Sequence, residues 1–579
     1  MKRLLKYLSN NKAQSVIAPL FKFIEAIFEL LVPLIMADII DVGVVNGDKK
    51  YILMRGGILV LFSVLGLACA LTAQYFAAKA SFGFGTALRS DMYKHFMSLS
   101  YNEIDSIGAS TLINRITSDI NLAQSAVNMF LRLFMRAPFI VIGSIIMSFT
   151  ISVKLTLIFL VATPLLAAAI FFIMNKSLPK YKQIQKGLDG VTLRVRENLS
   201  GARVIRAFNA GEREEQDFLK QTQELERSQL SVGRISALLN PITLLIVYAA
   251  IIVIIWYGGV NVNSGSITQG ELTALISYMT QILLALVAFA NLIVIVTKGA
   301  ASATRVADML EIKPSVTDSD SNCPDEDKSA AAVEFDNVSF SYASSDENAL
   351  TNISFSLKAG ETLGIIGGTG SGKSTLINMI PRFYDVTKGK VSVFGNDVKS
   401  YPLSVLRDKI GVVSQKTQLF SGTIKENILW GNENATDEDI WQALKVSQAE
   451  EFVSQKPDKL EERVAQGGKN LSGGQRQRLN IARALVRKPK ILILDDSASA
   501  LDMATDAKLR KAISELDYEC AVIIVSQRAA TIKNADKIIV LDDGECVGMG
   551  THDYLLENCE IYEEICSSQL GSDAKGGKK

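Results

Sequence analysis

The chain has 579 residues, so at least two domains are expected, because a single hydrophobic core stops growing at about 250–300 residues. Apolar residues make up 48% of the chain and the mean hydropathy is +0.22, which is high for a soluble protein and indicates membrane segments. The net charge of +1 gives no bulk electrostatic attraction to nucleic acid, so no nucleic-acid partner is expected.

The first half of the chain contains six apolar runs that can each cross a bilayer, which takes about 20 residues. They lie at 16–42, 52–79, 129–151, 155–174, 239–257 and 272–297. Two connections, 80–128 and 175–236, are long and charged. Their helical periodicity predicts spanning helices that continue into the cytosol and double back, in preference to a separate globular insertion.

The basic segment 1–12 predicts a cytosolic N-terminus, and six spans return the C-terminus to the cytosol. Lys49 and Lys50, in a connection that would then lie outside, argue mildly against this orientation. The expected location is the cytoplasmic membrane, with the lipid bilayer as a partner.

Polar residues inside the spans are candidates for a substrate cavity, because a charge in hydrocarbon usually faces a cavity or a partner. Glu25 and Glu29 are one helical turn apart and share a face. The candidates are Glu25, Glu29, Gln281 and Asn291. The alternative, a cytosolic helix extension or internal pairing, stays open for these four and is favoured for Lys22 and Arg55.

The Asp- and Ser-rich segment 313–330 predicts a linker between two halves of different composition. The cysteines show no metal-ligand spacing and are predicted to be packing residues instead of a disulfide framework. They are Cys69, Cys323, Cys520, Cys546, Cys559 and Cys566.

Beyond the linker, the run Gly367-Gly368-Thr369-Gly370-Ser371-Gly372-Lys373-Ser374 matches the phosphate-loop pattern G-x-x-x-x-G-K-[ST]. It lies between a predicted strand at 362–366 and a predicted helix that begins at Thr375. The glycines allow backbone N–H groups to surround phosphate oxygens, and the helix N-terminus adds partial positive charge. Lys373 is expected to reach the outer phosphates and Ser374 to offer a hydroxyl to Mg²⁺, so the chain is predicted to bind a nucleoside triphosphate.

Other features follow the same chemistry. Tyr342 could stack on adenine, although it could equally be a core aromatic. Gln415 ends a predicted strand, where an amide can reach Mg²⁺ or water. Asp495 ends the apolar strand 491–494 and suits Mg²⁺. The run Leu471-Ser472-Gly473-Gly474-Gln475 opens a helix and is an anion site, or alternatively a simple cap.

This ordered set resembles the ATP-binding cassette (ABC) family over the whole chain, and in particular multidrug-type half-transporter exporters. The Leu-Ser-Gly-Gly-Gln signature between the phosphate loop and Asp495 is specific to that family, and 197–209 resembles its second inner loop. The resemblance implies an α-helical six-span transmembrane domain of exporter type at 1–312. It is followed by the linker, by an α/β P-loop nucleotide-binding domain with a helical subdomain at 331–569, and by a flexible tail at 570–579.

The resemblance also implies ATP and Mg²⁺ as cofactors and a dimer of cassettes that closes head to tail around two ATP molecules. Each ATP lies between one chain's phosphate loop and the other chain's signature, and closure moves the transmembrane helices from inward- to outward-facing. The segments 101–107 and 203–211 are the expected coupling segments, and Asp502 belongs to the D-loop.

Two residues depart from the family pattern. Asp496 stands where the family usually has the glutamate that activates the attacking water, and Gln527 stands where a histidine usually contacts the γ-phosphate. The chain's two histidines, His95 and His552, lie elsewhere. The sequence therefore predicts the degenerate-site subunit of a heterodimer that exports hydrophobic or amphipathic small molecules.

Four alternatives compete with this prediction, namely a homodimer with slow ATPase, a lipid flippase on the same scaffold, an ATP-gated channel, and a soluble ABC ATPase. The six predicted spans argue against a soluble ATPase. The absence of a regulatory insertion weakens the channel hypothesis.

Overall fold

The computed structural model describes residues 2–319, 324–327, 329–342, 347–497 and 500–570. The chain divides into two compact units, Met1–Met97 with Ser110–Ile312, and Ser98–Ala109 with Lys313–Lys579. Most of the predicted tail, 571–579, lies outside the described residues, as do 320–323 and 328 of the predicted linker. Cys323 is among them.

The first unit is built of helices. Two short π-helical stretches, Ile39–Val44 and Arg115–Asp119, interrupt the α-helical pattern. The remaining helices are the 3₁₀ helix Lys2–Asn11 and the α-helices Lys12–Asp38, Lys49–Ser98, Ala109–Asn114, Ile120–Leu133, Arg136–Ile151, Val153–Ser200, Ala202–Ala207, Gly211–Ser236, Leu239–Asn263 and Gln269–Met309.

Among the described residues, five helical stretches are long and apolar enough to cross a membrane. They are Lys49–Ser98, Ala109–Ile151, Val153–Ser200, Gly211–Asn263 and Gln269–Met309. The predicted first span, 16–42, is helical but is not among the five, because Lys22, Glu25 and Glu29 place three charged residues in its apolar stretch. The structure supports five of the six predicted spans, and the first stays a prediction.

The helices are much longer than a bilayer is thick. Lys49–Ser98 has 50 residues, which at 1.5 Å per residue is about 75 Å, against about 30 Å of hydrocarbon. The long connections at 80–128 and 175–236 are helical, as predicted, and they turn near 99–108 and 201–210. No separate globular insertion is present in the described part of either connection.

Close helix contacts in the first unit depend on small residues. A Cβ on Gly299 would lie 2.1 Å from the Cβ of Ala126. The fully buried Tyr278 donates its hydroxyl to the carbonyl oxygen of Leu30 at 2.7 Å. Where lipid replaces water, such van der Waals packing and internal hydrogen bonds are the main cohesive forces between helices.

The second unit contains two main sheets. The strands are β1 Val333–Phe340, β2 Leu350–Leu357, β3 Thr362–Gly367, β4 Lys388–Val393, β5 Asn396–Asp397, β6 Ile410–Val413, β7 Gly422–Thr423, β8 Arg463–Val464, β9 Ile491–Asp495, β10 Ala521–Val525, β11 Lys537–Asp542 and β12 Glu545–Gly550. A four-stranded sheet has the order β2-β1-β4-β5, a six-stranded sheet has the order β12-β11-β3-β10-β9-β6, and β7 pairs with β8.

Helices cover the sheets and form a separate helical part between β6 and β9. The longest are Asp437–Val446, Gly473–Leu485, Met503–Ser514 and Glu560–Leu570. The shorter ones are Tyr101–Ile107, Lys373–Met379, Val398–Ser400, Leu403–Asp408, Ile424–Leu429, Glu450–Ser454, Lys459–Glu461, Gln466–Gly468, Ala529–Ile532 and His552–Asn558.

The six-stranded sheet is buried on both faces. Leu492 and Leu494 of β9 belong to one hydrophobic cluster, and Ile491 and Ile493 belong to the other. This alternation follows the two-residue period of a strand, and burial of both faces is typical of parallel sheets covered by helices.

The parallel pairing of four strands determines where their carboxyl ends lie. Val525 of β10 is paired with Asp495 of β9 and with Ile365 of β3, and Val413 of β6 is paired with Leu494. The carboxyl ends of these four strands therefore lie at one edge of the sheet, which is where open α/β sheets bind ligands.

The described part of the predicted linker packs on the second unit. Glu326 forms ion pairs with Lys409 and with Lys490, the latter at 2.5 Å. The backbone amide of Leu403 donates to the Asp318 carboxylate at 2.7 Å. Several residues of this segment are thus fixed by contacts, although its composition is that of a loop.

Candidate nucleotide-binding site

The phosphate loop joins β3 to the helix Lys373–Met379, and geometry requires three of its glycines. Gly370 and Gly372 have φ of +89° and +91°, in the left-handed region that favours glycine. A Cβ on Gly367 would lie 2.1 Å from the carbonyl oxygen of Leu541. A larger residue at 367 would force the backbone to move.

Lys373 is buried, and the structure shows it without a carboxylate at ion-pair distance within the described residues. Its Nζ donates to the carbonyl oxygen of Gly367 at 3.0 Å, to that of Gly368, and to the Ser371 hydroxyl at 3.1 Å. Burial lowers the pKa of Lys373, and the negative charges of Asp495 and Asp496 oppose this shift. A buried ammonium held by neutral oxygens is stabilised by an anion, so the loop fits a polyphosphate.

Oxygen groups suited to Mg²⁺ lie beside the loop. The Ser374 hydroxyl donates to the Asp495 carboxylate, with an Oγ···Oδ2 distance of 3.1 Å. Burial raises the pKa of Asp495, the hydrogen bond from Ser374 opposes this, and the charge of Asp496 adds to it. Hydroxyl and carboxylate oxygens are ligands that Mg²⁺ prefers, so this pair fits the predicted ion.

Two further predicted residues meet at the same edge of the sheet. Gln415 donates from Nε2 to Oδ2 of Asp496 at 3.2 Å. Asp496 has a φ of +45°, and its amide donates to the carbonyl oxygen of Val525 at 2.9 Å. Gln415 therefore contacts the carboxylate that follows Asp495.

One cavity of about 330 Å³ brings these groups together, which is within the size range of ligand pockets. The sequence-predicted residues that line it are Tyr342, Thr369, Gly370, Gly372, Lys373, Ser374, Thr375, Gln415, Asp495, Asp496 and Gln527. Gly367, Gly368 and Ser371 complete the loop, and their oxygen atoms accept hydrogen bonds from Nζ of Lys373.

Tyr342 forms one wall of the cavity. Its hydroxyl is hydrogen-bonded to Oγ1 of Thr375 at 2.9 Å, and its ring lies 5.4 Å from that of Tyr384. Sequence reasoning missed six other lining residues, which are Asn348, Ala349, Val525, Ser526, Asp543 and Gly544. Asp543-Gly544 is a recognisable turn pair after β11, but only the strand order brings it to the loop.

The signature does not line this cavity. Ser472 caps the helix Gly473–Leu485: its hydroxyl accepts from the Gln475 amide at 3.2 Å, and the Gln475 side chain accepts from the Ser472 amide at 3.0 Å. The predicted run Leu471, Ser472, Gly473, Gly474 and Gln475 therefore forms a capped helix N-terminus that is not part of the lining of this cavity.

Asp502 is also a helix cap. Its carboxylate accepts from the Thr505 amide at 2.9 Å and from the Thr505 hydroxyl at 2.8 Å. These bonds lower the pKa of Asp502. Ala498 and Ser499, which precede it in the predicted D-loop, lie outside the described residues.

The four polar residues of the membrane half have different surroundings. Glu25 is paired with Lys22 at 2.6 Å, and Glu29 with Arg136 at 2.7 Å. Gln281 donates to the carbonyl oxygen of Glu29 at 3.3 Å, whereas Asn291 is exposed. Glu25, Glu29 and Arg136 line a second cavity of about 330 Å³, which does not include Gln281 or Asn291.

Comparisons with known proteins agree on the class of molecule. Residues 15–286 match the family described as ABC transporter transmembrane region, and residues 350–499 match the family described as ABC transporter. The chain is 37% identical to an uncharacterised ABC transporter ATP-binding protein of Bacillus subtilis, over 99% of both chains.

Two named relatives cover almost the whole chain as well. A putative multidrug export ATP-binding/permease protein of Bacillus subtilis is 31% identical over 98% of this chain and 99% of its own. An ATP-dependent lipid A-core flippase of Photobacterium profundum is 30% identical over 98% of each. A solved bacterial Atm1-family ABC exporter with ATP bound has the same fold, with a TM-score of 0.81, 22% identity and 99% coverage of both chains.

The helical membrane unit, the phosphate loop at the edge of a mixed sheet and the full-length relatives agree. This chain is an ATP-hydrolysing, multi-pass membrane protein of the ABC transporter family, an exporter-type half-transporter with one membrane domain and one cassette.

Proposed function

We propose that the chain is one subunit of a heterodimeric exporter, in which its own phosphate loop holds ATP with slow turnover and its signature completes the partner's catalytic site. One observation carries the proposal. A single cavity combines a complete phosphate loop with Asp496 and Gln527, where the family usually has glutamate and histidine. Binding groups are retained in this cavity, and the two groups that act on water and the γ-phosphate are altered.

Asp496 is a weakened general base. It keeps the charge of a glutamate but is one methylene shorter, so its carboxylate lies about 1.5 Å back from the position that a glutamate would reach. A misplacement of about 1 Å can cost on the order of 10²-fold in rate. The hydrogen bond from Gln415 also occupies one oxygen of this carboxylate.

Gln527 alters the second catalytic position. An amide can donate a hydrogen bond to a phosphate oxygen, but it cannot carry a proton as imidazolium does. His552, the histidine of the second unit, is hydrogen-bonded through Nδ1 to the Tyr562 hydroxyl and does not line the cavity. We therefore assign slow hydrolysis, with ATP binding retained through Lys373, Ser374 and Asp495.

The intact signature supports a catalytic role in a partner's site. Ser472 and Gly473 are exposed at a helix N-terminus, which favours anions through its free N–H groups and its dipole. In the head-to-tail arrangement of the family, this end would face the γ-phosphate on the partner's loop. A homodimer with slow ATPase remains the competing arrangement.

The proposed cargo is a hydrophobic or amphipathic small molecule that crosses the cytoplasmic membrane, with both chain termini in the cytosol. The second cavity places the ion pair Glu29–Arg136 beside Phe28 and Phe62, which suits a molecule with polar and apolar parts. A lipid flippase is the second candidate, because one relative has that name. Drug-stimulated ATPase in detergent, compared with lipid-stimulated ATPase in vesicles, separates the two.

The ATPase rate of the purified chain tests the heterodimer directly. Alone, the chain is expected to hydrolyse ATP well below the usual enzyme range of roughly 1–10³ s⁻¹. Co-purification with a second half-transporter that carries the glutamate and the histidine should restore a rate within that range. A rate within that range for the chain alone would contradict the proposal.

A further inference from the structure

The C-terminal helix Glu560–Leu570 contacts the segment that follows β10. Nε2 of Gln569 donates to the carbonyl oxygen of Gln527 at 2.7 Å, and its Oε1 accepts from the Ala529 amide at 2.9 Å. A side-chain amide bonded to the main chain at both ends has one possible orientation, because its N–H needs an acceptor and its oxygen needs a donor.

Two other main-chain amides of this segment have hydrogen-bond acceptors in β3 or within the segment itself. The Ser526 amide donates to the carbonyl oxygen of Ile365 at 3.0 Å, and the Arg528 amide donates to Oγ of Ser526 at 2.9 Å. Gln569 supplies partners for the carbonyl before Arg528 and for the amide after it. The backbone beside the cavity is thus held by β3 on one side and by Gln569 on the other.

The helix that carries Gln569 belongs to the core of the second unit. Tyr562 and Cys566 are 0% and 1% exposed, and they belong to the same hydrophobic cluster as Ala529 and Ile532. Cys566 precedes Gln569 by three residues, so the two lie on one face of the helix. The amide is therefore presented by a packed element.

We propose that Gln569 is a positioning residue that holds the Gln527 segment against the γ-phosphate and so sets the preference of this site for ATP over ADP. The proposal rests on the role proposed above for Gln527. A hydrogen bond to a terminal phosphate requires placement within about 1 Å, and release of the Gln527 carbonyl and the Ala529 amide lets the segment shift. ADP has no γ-phosphate, so its binding does not depend on this placement.

Nucleotide affinity of the full-length chain tests this proposal. In Gln569→Ala, Mg²⁺–ATP affinity should fall roughly tenfold, which is the loss expected when one hydrogen bond to a charged phosphate oxygen is weakened. Mg²⁺–ADP affinity should stay within about twofold. Gln569→Glu keeps an acceptor for the Ala529 amide but faces the Gln527 carbonyl with a carboxylate, so it should show the same selective loss in a side chain of equal size.

A matched control lies on the same helical turn. Within the described residues, the Ser568 hydroxyl donates only to its own helix, to the carbonyl oxygen of Ile565 at 2.9 Å. Ser568→Ala should leave both affinities unchanged. A parallel fall of ATP and ADP affinity in both Gln569 variants would mean that Gln569 only supports the fold, and would overturn the proposal.

Gln527→Ala separates this inference from the proposed function on which it rests. It should remove the ATP preference by itself, and the double variant Gln527→Ala/Gln569→Ala should show no further loss, because both act through one contact. If Gln527→Ala removes the preference and Gln569→Ala keeps it, only the role of Gln569 is wrong. If Gln527→Ala keeps the preference, the role proposed for Gln527 is wrong and this inference is wrong with it.

Discussion

The side chain of Asp496 is one methylene shorter than the glutamate that the family usually has at this position. The backbone of Asp496 is in the left-handed region, with a φ of +45°, a conformation that aspartate adopts more readily than most side chains. The carboxylate is held by Gln415 at 3.2 Å. The local geometry therefore accepts aspartate without strain, and the proposed cost is in the reach of its carboxylate toward water.

Asp496→Glu in the assembled complex should raise hydrolysis at this site. The longer side chain recovers about 1.5 Å of reach, and correct placement of a general base contributes about 10²–10⁴-fold in rate. We expect a gain of at least about tenfold in phosphate release, measured in a complex whose partner site has lost its own glutamate.

Asp496→Asn is the matched control, because it keeps the size of the side chain and removes its charge. It should show no gain in phosphate release. An Asp496→Glu rate equal to that of the parent would mean that the short carboxylate is not the limiting defect.

Residues whose neighbours are fixed by local spacing could be predicted from the sequence. Lys373 and Ser374 belong to this class, because the loop and the first helical turn determine where they lie. Asp543, Gly544 and Gln569 could not be predicted. Asp543 and Gly544 reach the cavity only because β11 lies next to β3 in the sheet. Gln569 reaches the segment after β10 only because the last helix packs beside that segment.

At the scale of elements, three described helices of the cassette begin with the same reciprocal cap. Ser472 and Gln475 form one at the signature, Thr436 and Asp439 form a second at the helix Asp437–Val446, and Thr423 and Glu426 form a third at Ile424–Leu429. Each satisfies two of the free amides at a helix start. The caps of Ser472 and Thr436 should be equivalent for stability and different for function.

Ser472→Ala and Thr436→Ala should therefore each cost about 1 kcal/mol of unfolding free energy. For a domain of about 150–250 residues this lowers the unfolding midpoint by about 2–4 °C, which thermal unfolding of the purified chain measures. In the complex with its partner, only Ser472→Ala should reduce ATP hydrolysis, since only this cap faces nucleotide in the proposed dimer. Equal hydrolysis by the two variants would contradict the role of the signature.

Element type was predictable where hydrophobic patterning was strong, and less so where charges enter it. The long helices between 153 and 309 carry apolar windows that meet the requirements of a span. The helix Lys12–Asp38 does not, because Lys22, Glu25 and Glu29 lie in its apolar stretch. Lys22 pairs with Glu25 in the same helix, and Glu29 pairs with Arg136 of the helix Arg136–Ile151. A count of charged residues along the sequence takes no account of such pairs.

At the scale of the whole molecule, the chain contributes half a site to each of two nucleotides in the proposed dimer. Its phosphate loop and its signature are on the same cassette, and the signature does not line the chain's own cavity. In that dimer each complete site needs groups from two cassettes. The sequence identifies both half-sites, but it does not contain the identity of the second chain.

Two substitutions in this chain distinguish the two possible dimers. In a heterodimer, Asp496→Asn alters only the slow site and should leave the ATP turnover of the complex unchanged, because the amide keeps the shape of the side chain. Ser472→Ala alters the partner's active site and should lower that turnover. In a homodimer every site contains both Asp496 and Ser472, so both substitutions must lower turnover. Steady-state phosphate release by the two variants, each at saturating Mg²⁺–ATP, gives the answer, and a comparable loss in both would establish the homodimer.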